Sequence, residues 1–138
     1  LNDCLQEDDF HYRAEVHALL ATLLFDEQPR ESINHWEWAL YFGHQKEESV
    51  TWRVRLAMAL ESEDKTREAI DVWQEALEFP ESARMAHMVL GRLLLDKDPD
   101  MSVHHFQKAK QLTEQQQDQA AELGFRVAQF EVEFAESE

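Results

Sequence analysis

The sequence predicts an all-α chain of about seven antiparallel helices, stacked as helical hairpins into a single solenoid domain over residues 1–138. Three observations carry this. A triplet recurs as Ser32, Trp36 and Ala39, then Ala69, Trp73 and Ala76, then Ser102, Phe106 and Ala109, with the second and third copies 33 residues apart. An upstream pair recurs as Leu19-Leu20, Leu56-Ala57, Leu90-Gly91 and Leu123-Gly124, each followed by Leu23, Leu60, Leu94 or Val127. No segment alternates as a strand does, and three Gly and three Pro are too few for a loop-rich or β architecture.

Each helix has its own signal. The first, 9–25, carries Leu19, Leu20 and Leu23, and Pro29 opens the second, 29–43, where a missing N–H costs nothing. Within the triplet, residues four and seven apart share one helix face, so the small residue admits a neighbouring backbone and the aromatic ring fills the space between helices. Trp36, Trp73 and Phe106 are thus expected to be equivalent fillers. The third helix, 48–61, follows a longer connection near 43–48, since the first two triplets lie 37 apart. The fourth spans 65–78, and Phe79-Pro80-Glu81-Ser82 breaks it before the fifth, 81–95. Asp98-Pro99 opens the sixth, 99–112. Thr113 followed by Gln116 reads as a capping box that starts a seventh, 114–135. Gly91 and Gly124 fall at helix-interior sites that cost about 1 kcal/mol against Ala, which suggests close packing at both. On the terminal helix, Ala120, Leu123, Val127, Phe130 and Phe134 form a stripe expected to cap the third hairpin, and Ala121, Phe125, Ala128 and Val132 form a second.

These residues resemble the tetratricopeptide repeat family, which places Leu-Gly on the first helix of each hairpin and Ala, an aromatic and Ala on the second. The resemblance covers Asp9 to Glu138, as repeats at about 12–45, 49–82 and 83–113 with a terminal helix at 114–135 like half of a fourth. It implies a right-handed superhelix. Its first copy departs most, with Leu20 where the family prefers Gly or Ala and Val16 where it often has Trp.

Composition narrows the function. The formal charge of −16 repels phosphate backbones and anionic membranes, which argues against nucleic acid as a partner. No apolar stretch of about 18 residues is present, so direct membrane insertion is not expected. Neither end reads as a signal peptide; the default compartment is the cytoplasm, although the start at Leu1 leaves room for a longer or anchored parent. Cys4, the sole cysteine, cannot form an intramolecular disulfide. Seven His are present, but no paired Cys or HExxH motif accompanies them, and His104-His105 point in different directions on a helix. No metal, cofactor or catalytic residue is expected.

The resemblance implies a non-enzymatic protein-binding module, a scaffold or assembly factor, with a concave groove lined by the first helices of successive hairpins. Carried over position by position, the groove consists of Ala14, His17, Ala21 and Leu24, then Val54, Arg55 and Met58, then Met85, Met88 and Arg92, extended by Ala121 and Phe125 on the terminal helix. A Met-rich apolar floor suits a helical or extended protein segment, basic or amphipathic given the charge. Family members that hold acidic chaperone tails use a clamp of Lys, Asn, Asn, Lys and Arg. Here the matching positions are His17, Ala21, Arg55 or Val54, Met85 and Val89, so that clamp is missing. Two further readings stay open. One is a chaperone for protein secretion or redox-enzyme maturation, the latter because Arg13-Ala14-Glu15 with Leu19-Leu20-Ala21 and Leu23-Leu24-Phe25 resembles the opening helix of such chaperones. The other is an oligomerisation module that pairs copies through the terminal helix.

Overall fold

The computed structural model describes the backbone of residues 7–137 and the side chains of 12–130. Cys4 and the side chains of Val132 and Phe134 lie outside that range. The described chain is six helices and no strand: α1 (Glu7–Leu24), α2 (Pro29–Gly43), α3 (Ser49–Ser62), α4 (Thr66–Ala76), α5 (Pro80–Leu94) and α6 (Pro99–Ser137). Each packs on the next in chain order, and α3 also touches α5. The result is a solenoid of three hairpins, α1–α2, α3–α4 and α5–α6.

Turn chemistry sets the hairpins. In the first and third, the N–H of Gln28 or Asp98 donates to the carbonyl of Leu24 or Leu94, each at 2.8 Å, and a proline follows to start the next helix. Asp98 also caps α6, its Oδ1 accepting the Met101 N–H at 3.2 Å. The middle hairpin closes differently, with three residues between its helices where the other two have four. There Lys65 N–H reaches the Leu60 carbonyl at 2.9 Å and Asp64 N–H reaches that of Glu61 at 3.0 Å, with Asp64 left-handed at φ 61°. This is a Schellman closure in which a short polar side chain tolerates the positive φ.

The seam inside each hairpin reveals the register. Ser32 Oγ donates to the Ala21 carbonyl at 2.7 Å, and Ser102 Oγ donates to that of Gly91 at 2.6 Å, both fully buried. Ala21 is therefore the counterpart of Gly91 and Ala57, and the repeated pair of the first hairpin is Leu20-Ala21, not Leu19-Leu20. The first hairpin then has the small residue that the repeat requires. Ala14, Ala21, Ala39, Ala57, Ala69 and Ala86 are all wholly buried.

The terminal region corrects several expectations. Residues 99–112 and 114–135 form one helix of 39 residues, about 58 Å long. Thr113 does not cap a new helix; its Oγ1 donates back to the Ala109 carbonyl at 3.0 Å, as a helix-interior threonine does. The Gln- and Glu-rich run that follows holds no helix breaker, so nothing turns the chain. The stripe therefore does not cap the third hairpin: every described side chain from 114 to 130 is exposed, Leu123, Val127 and Phe130 by more than half. Nor is Phe106 equivalent to Trp36 and Trp73. Those are 2% and 1% exposed beneath the next hairpin, whereas Phe106 is 42% exposed, with no further hairpin over it among the described residues. Close packing holds at Gly91, where a Cβ would lie 2.7 Å from the Phe106 ring, but at Gly124 it would meet nothing within 4 Å.

Candidate partner-binding surface

With Ala21, Ala57 and Gly91 aligned, the inner positions of the first helices follow. Leu19, Arg55 and Val89 form one level, and Thr22, Met58 and Arg92 the next. Where α1 meets α2 and α3, Thr22, Phe25, Asp26, Trp36, Arg55 and Met58 line a cavity. A shallower hollow adjoins it, with Ala18, Leu19 and Trp52 among its walls. The helices supply small side chains on one wall and a flexible thioether on the other, so the floor can adapt to the shape of an apolar guest.

The two inter-hairpin junctions differ in their polar groups. At the α3–α5 junction, the Trp73 indole N–H donates to Glu61 Oε2 at 3.1 Å, and Arg92 Nη2 pairs with Glu61 Oε1 at 2.7 Å. The carboxylate thus joins a buried donor to an exposed cation. At the α1–α3 junction Phe25 stands where the other has Glu61. The Trp36 indole N–H, 2% exposed as a residue, has no hydrogen-bond partner, and Arg55 makes no ion pair among the described residues. A buried indole N–H without an acceptor is an unmet cost of about 1–3 kcal/mol.

The sequence-predicted residues separate into three groups. Val54, Arg55, Met58, Met85, Met88 and Arg92 lie on the inner positions, with the three methionines about half exposed. His17, Ala21 and Leu24 lie one residue off that register. Ala14 and Ala21 expose nothing, so they are seam residues rather than groove floor, and His17 faces α2. Ala121 and Phe125 stand on the exposed stretch of α6, with Phe125 69% exposed. Thr22, Phe25, Asp26 and Trp36, which line the cavity, were not anticipated. The signal for them was the small-residue stripe Ala14, Ala18 and Ala21, which fixes the register of α1.

A second recurrence runs at 70 residues. His17, Leu20, Leu24, Asp26, Pro29, Ser32, His35 and Ala39 reappear as His87, Leu90, Leu94, Asp96, Pro99, Ser102, His105 and Ala109. It brings the histidines together in pairs across the seam. His17 Nδ1 lies 2.9 Å from His35 Nδ1, and His87 Nδ1 lies 2.9 Å from His105 Nδ1. One nitrogen must donate and the other accept, which requires at least one neutral ring in each pair. Burial, and secondarily His35, lowers the pKa of His17 below its ordinary 6.5. Burial lowers that of His87, with His105, His104 and Lys108 adding to it, and burial followed by His104 lowers that of His105. Trp38 and Phe42 stack on His17 at 6.1 and 5.9 Å. In the middle hairpin Arg53 takes this place, pairing with Glu75 at 3.7 Å and lying 4.8 Å from the Phe79 ring centre. Among the described residues no three His, Cys, Asp or Glu are grouped to hold a metal ion, and no helix is long and apolar enough to cross a membrane.

No protein-family profile matches the sequence, and no curated protein is significantly similar to it. The fold is similar to the crystal structure of MamA, a tetratricopeptide-like protein, with a TM-score of 0.68 at 18% sequence identity. The match covers 76% of this chain and 61% of that one, so the chain spans less than two thirds of MamA's length. At this identity the likeness is one of fold, and it agrees with the helical solenoid read from the repeats.

Proposed function

We propose that this chain is a non-enzymatic protein-binding module that holds a helical or extended segment of a partner along the inner face of α1, α3 and α5. The cavity between α1 and α3 supports this reading most directly. It joins apolar surface from Phe25 and Met58 to two donors without acceptors, the Trp36 N–H and the Arg55 guanidinium. A backbone carbonyl or carboxylate on the partner would take the place that Glu61 holds at the next junction. A bound segment supplies both the apolar burial and the acceptor.

Affinity capture with quantitative mass spectrometry tests it, using the full chain beside a Met58→Gln, Met85→Gln variant. Both methionines are about half exposed, so the fold should persist. The expected result is loss of the specific partner by the variant. Equal recovery by both proteins would show that the inner face does not carry recognition.

A further inference from the structure

The positions that make the polar contact between α3, α4 and α5 recur between α1, α2 and α3, with a different outcome. Trp36 corresponds to Trp73. Phe25 stands four residues after Ala21 as Glu61 stands four after Ala57, and Met58 follows Ala57 as Arg92 follows Gly91. In the second setting Glu61 accepts the Trp73 N–H at 3.1 Å and pairs with Arg92 at 2.7 Å. In the first, carboxylate and cation give way to apolar side chains, yet the donor stays: Trp36 is 2% exposed, and its N–H has no acceptor. A cation returns from another position. Arg55, one turn before Met58 on α3, lines the same cavity as Trp36 and makes no ion pair among the described residues. The other polar groups of the cavity do not serve the indole: the Thr22 hydroxyl donates to the Ala18 carbonyl at 2.9 Å, and Asp26 is exposed.

We infer that this cavity receives the side chain of a single glutamate on the bound segment, whose carboxylate takes the Trp36 N–H and the Arg55 guanidinium as Glu61 takes Trp73 and Arg92. This rests on the proposed role of the inner face and names the residue that face selects. A carboxylate has lone pairs for both donors and offsets the charge of Arg55, which a backbone carbonyl does not. The two methylenes of glutamate suit the apolar walls of Phe25 and Met58, through which the acceptor must pass. Because the indole N–H is buried, a wall side chain has to turn aside to admit it, and Met58, half exposed and unbranched, has that freedom. Asp26, on the same cavity wall, opposes further negative charge. The site therefore favours one glutamate set among apolar residues over an acidic run.

Nitrogen-15 NMR of the full chain reads the site through the indole N–H signals of its four tryptophans, with that of Trp36 identified by its loss in Trp36→Phe. Acetyl-Leu-Glu-Leu-amide should move the Trp36 signal saturably downfield, the direction in which hydrogen bonding to a carboxylate shifts an N–H. Acetyl-Leu-Gln-Leu-amide, and acetyl-Leu-Leu with a free terminal carboxylate, should each bind at least about fivefold more weakly, and Arg55→Gln should weaken the glutamate peptide by a similar factor. Asp26→Asn should tighten it. Arg55 and Asp26 are exposed, so both variants should fold. Phe25→Glu supplies the carboxylate from within the chain, as Glu61 does, and should shift the Trp36 signal without peptide and block the titration. An unmoved Trp36 signal, equal binding of the three peptides, or native affinity in Arg55→Gln overturns the inference. Capture separates this failure from that of the inner face as a whole: if the Met58→Gln, Met85→Gln variant loses the partner while Arg55→Gln and Phe25→Glu keep it, the segment binds along the inner face and the glutamate site falls.

Discussion

The smallest differences between hairpins carry the largest consequences here. A His–His contact at 2.9 Å closes the outer two hairpins, and an Arg53–Glu75 pair closes the middle one. Doubly protonated rings would lose the hydrogen bond and oppose two charges. Because His17, His87 and His105 have lowered pKa values in the folded chain, that state binds fewer protons than the unfolded one just below pH 6.5. Their contribution to stability is therefore complete above about pH 6.5 and is lost as pH falls from there through the folded-state values. The urea midpoint should accordingly fall between pH 7.5 and 5, and fall less in a His17→Gln, His87→Gln variant, which retains polar contacts but does not titrate there. Equal slopes in the two proteins would show that the pairs do not govern the pH response. The partnership was invisible to a reading that took the histidines singly. The signal lies in the 70-residue recurrence, which spans two hairpins rather than one.

At the scale of the element, whether a helix has a successor decides what its residues do. The triplets made the six described helices legible, and prolines and caps placed most of their starts. The α1 register slipped by one because Leu19, Leu20, Leu23 and Leu24 offer two equally apolar stripes, and only the buried Ser32–Ala21 bond chooses between them. The end of α6 was misread because a Thr–Gln capping box and a helix-interior pair look alike in sequence. Trp36→Ala and Trp73→Ala should each cost about 3–5 kcal/mol, as buried aromatics do. Phe106→Ala should cost roughly half as much, since close to half its surface already meets water. Gly124→Ala should raise stability by about 1 kcal/mol where its Cβ meets no neighbour, whereas Gly91→Ala presses on the Phe106 ring and should lower it. Chemical denaturation of the four single variants other than Trp73→Ala suffices to rank them. A neutral Trp36→Ala would refute the packing register.

Across the whole molecule, charge and apolar surface compete to control recognition. The formal charge is −16, while the inner face offers Met58 and Met85 about half exposed, with Arg55 and Arg92 nearby. Burying an apolar side chain of methionine's size contributes roughly 1.5–3 kcal/mol, against less than about 1 for an exposed ion pair. Arg92 is already held by Glu61 at 2.7 Å, which leaves Arg55 as the cation better placed to meet an acceptor on a bound segment. Apolar burial should therefore set the affinity, and surface charge the rate of encounter and its dependence on salt. Titration calorimetry with the captured partner at two ionic strengths separates the contributions. Replacing Met58 and Met85 together by Gln should weaken binding at least about tenfold at both, equivalent to about 1.4 kcal/mol or more. Arg55→Gln should cost less and should reduce the salt dependence, because the charge it removes is the one screened by added ions. If the methionine variant binds as the native chain does while neutralising surface carboxylates abolishes the complex, the partner is held by charge outside the groove, and the unpaired Trp36 N–H has no part in recognition.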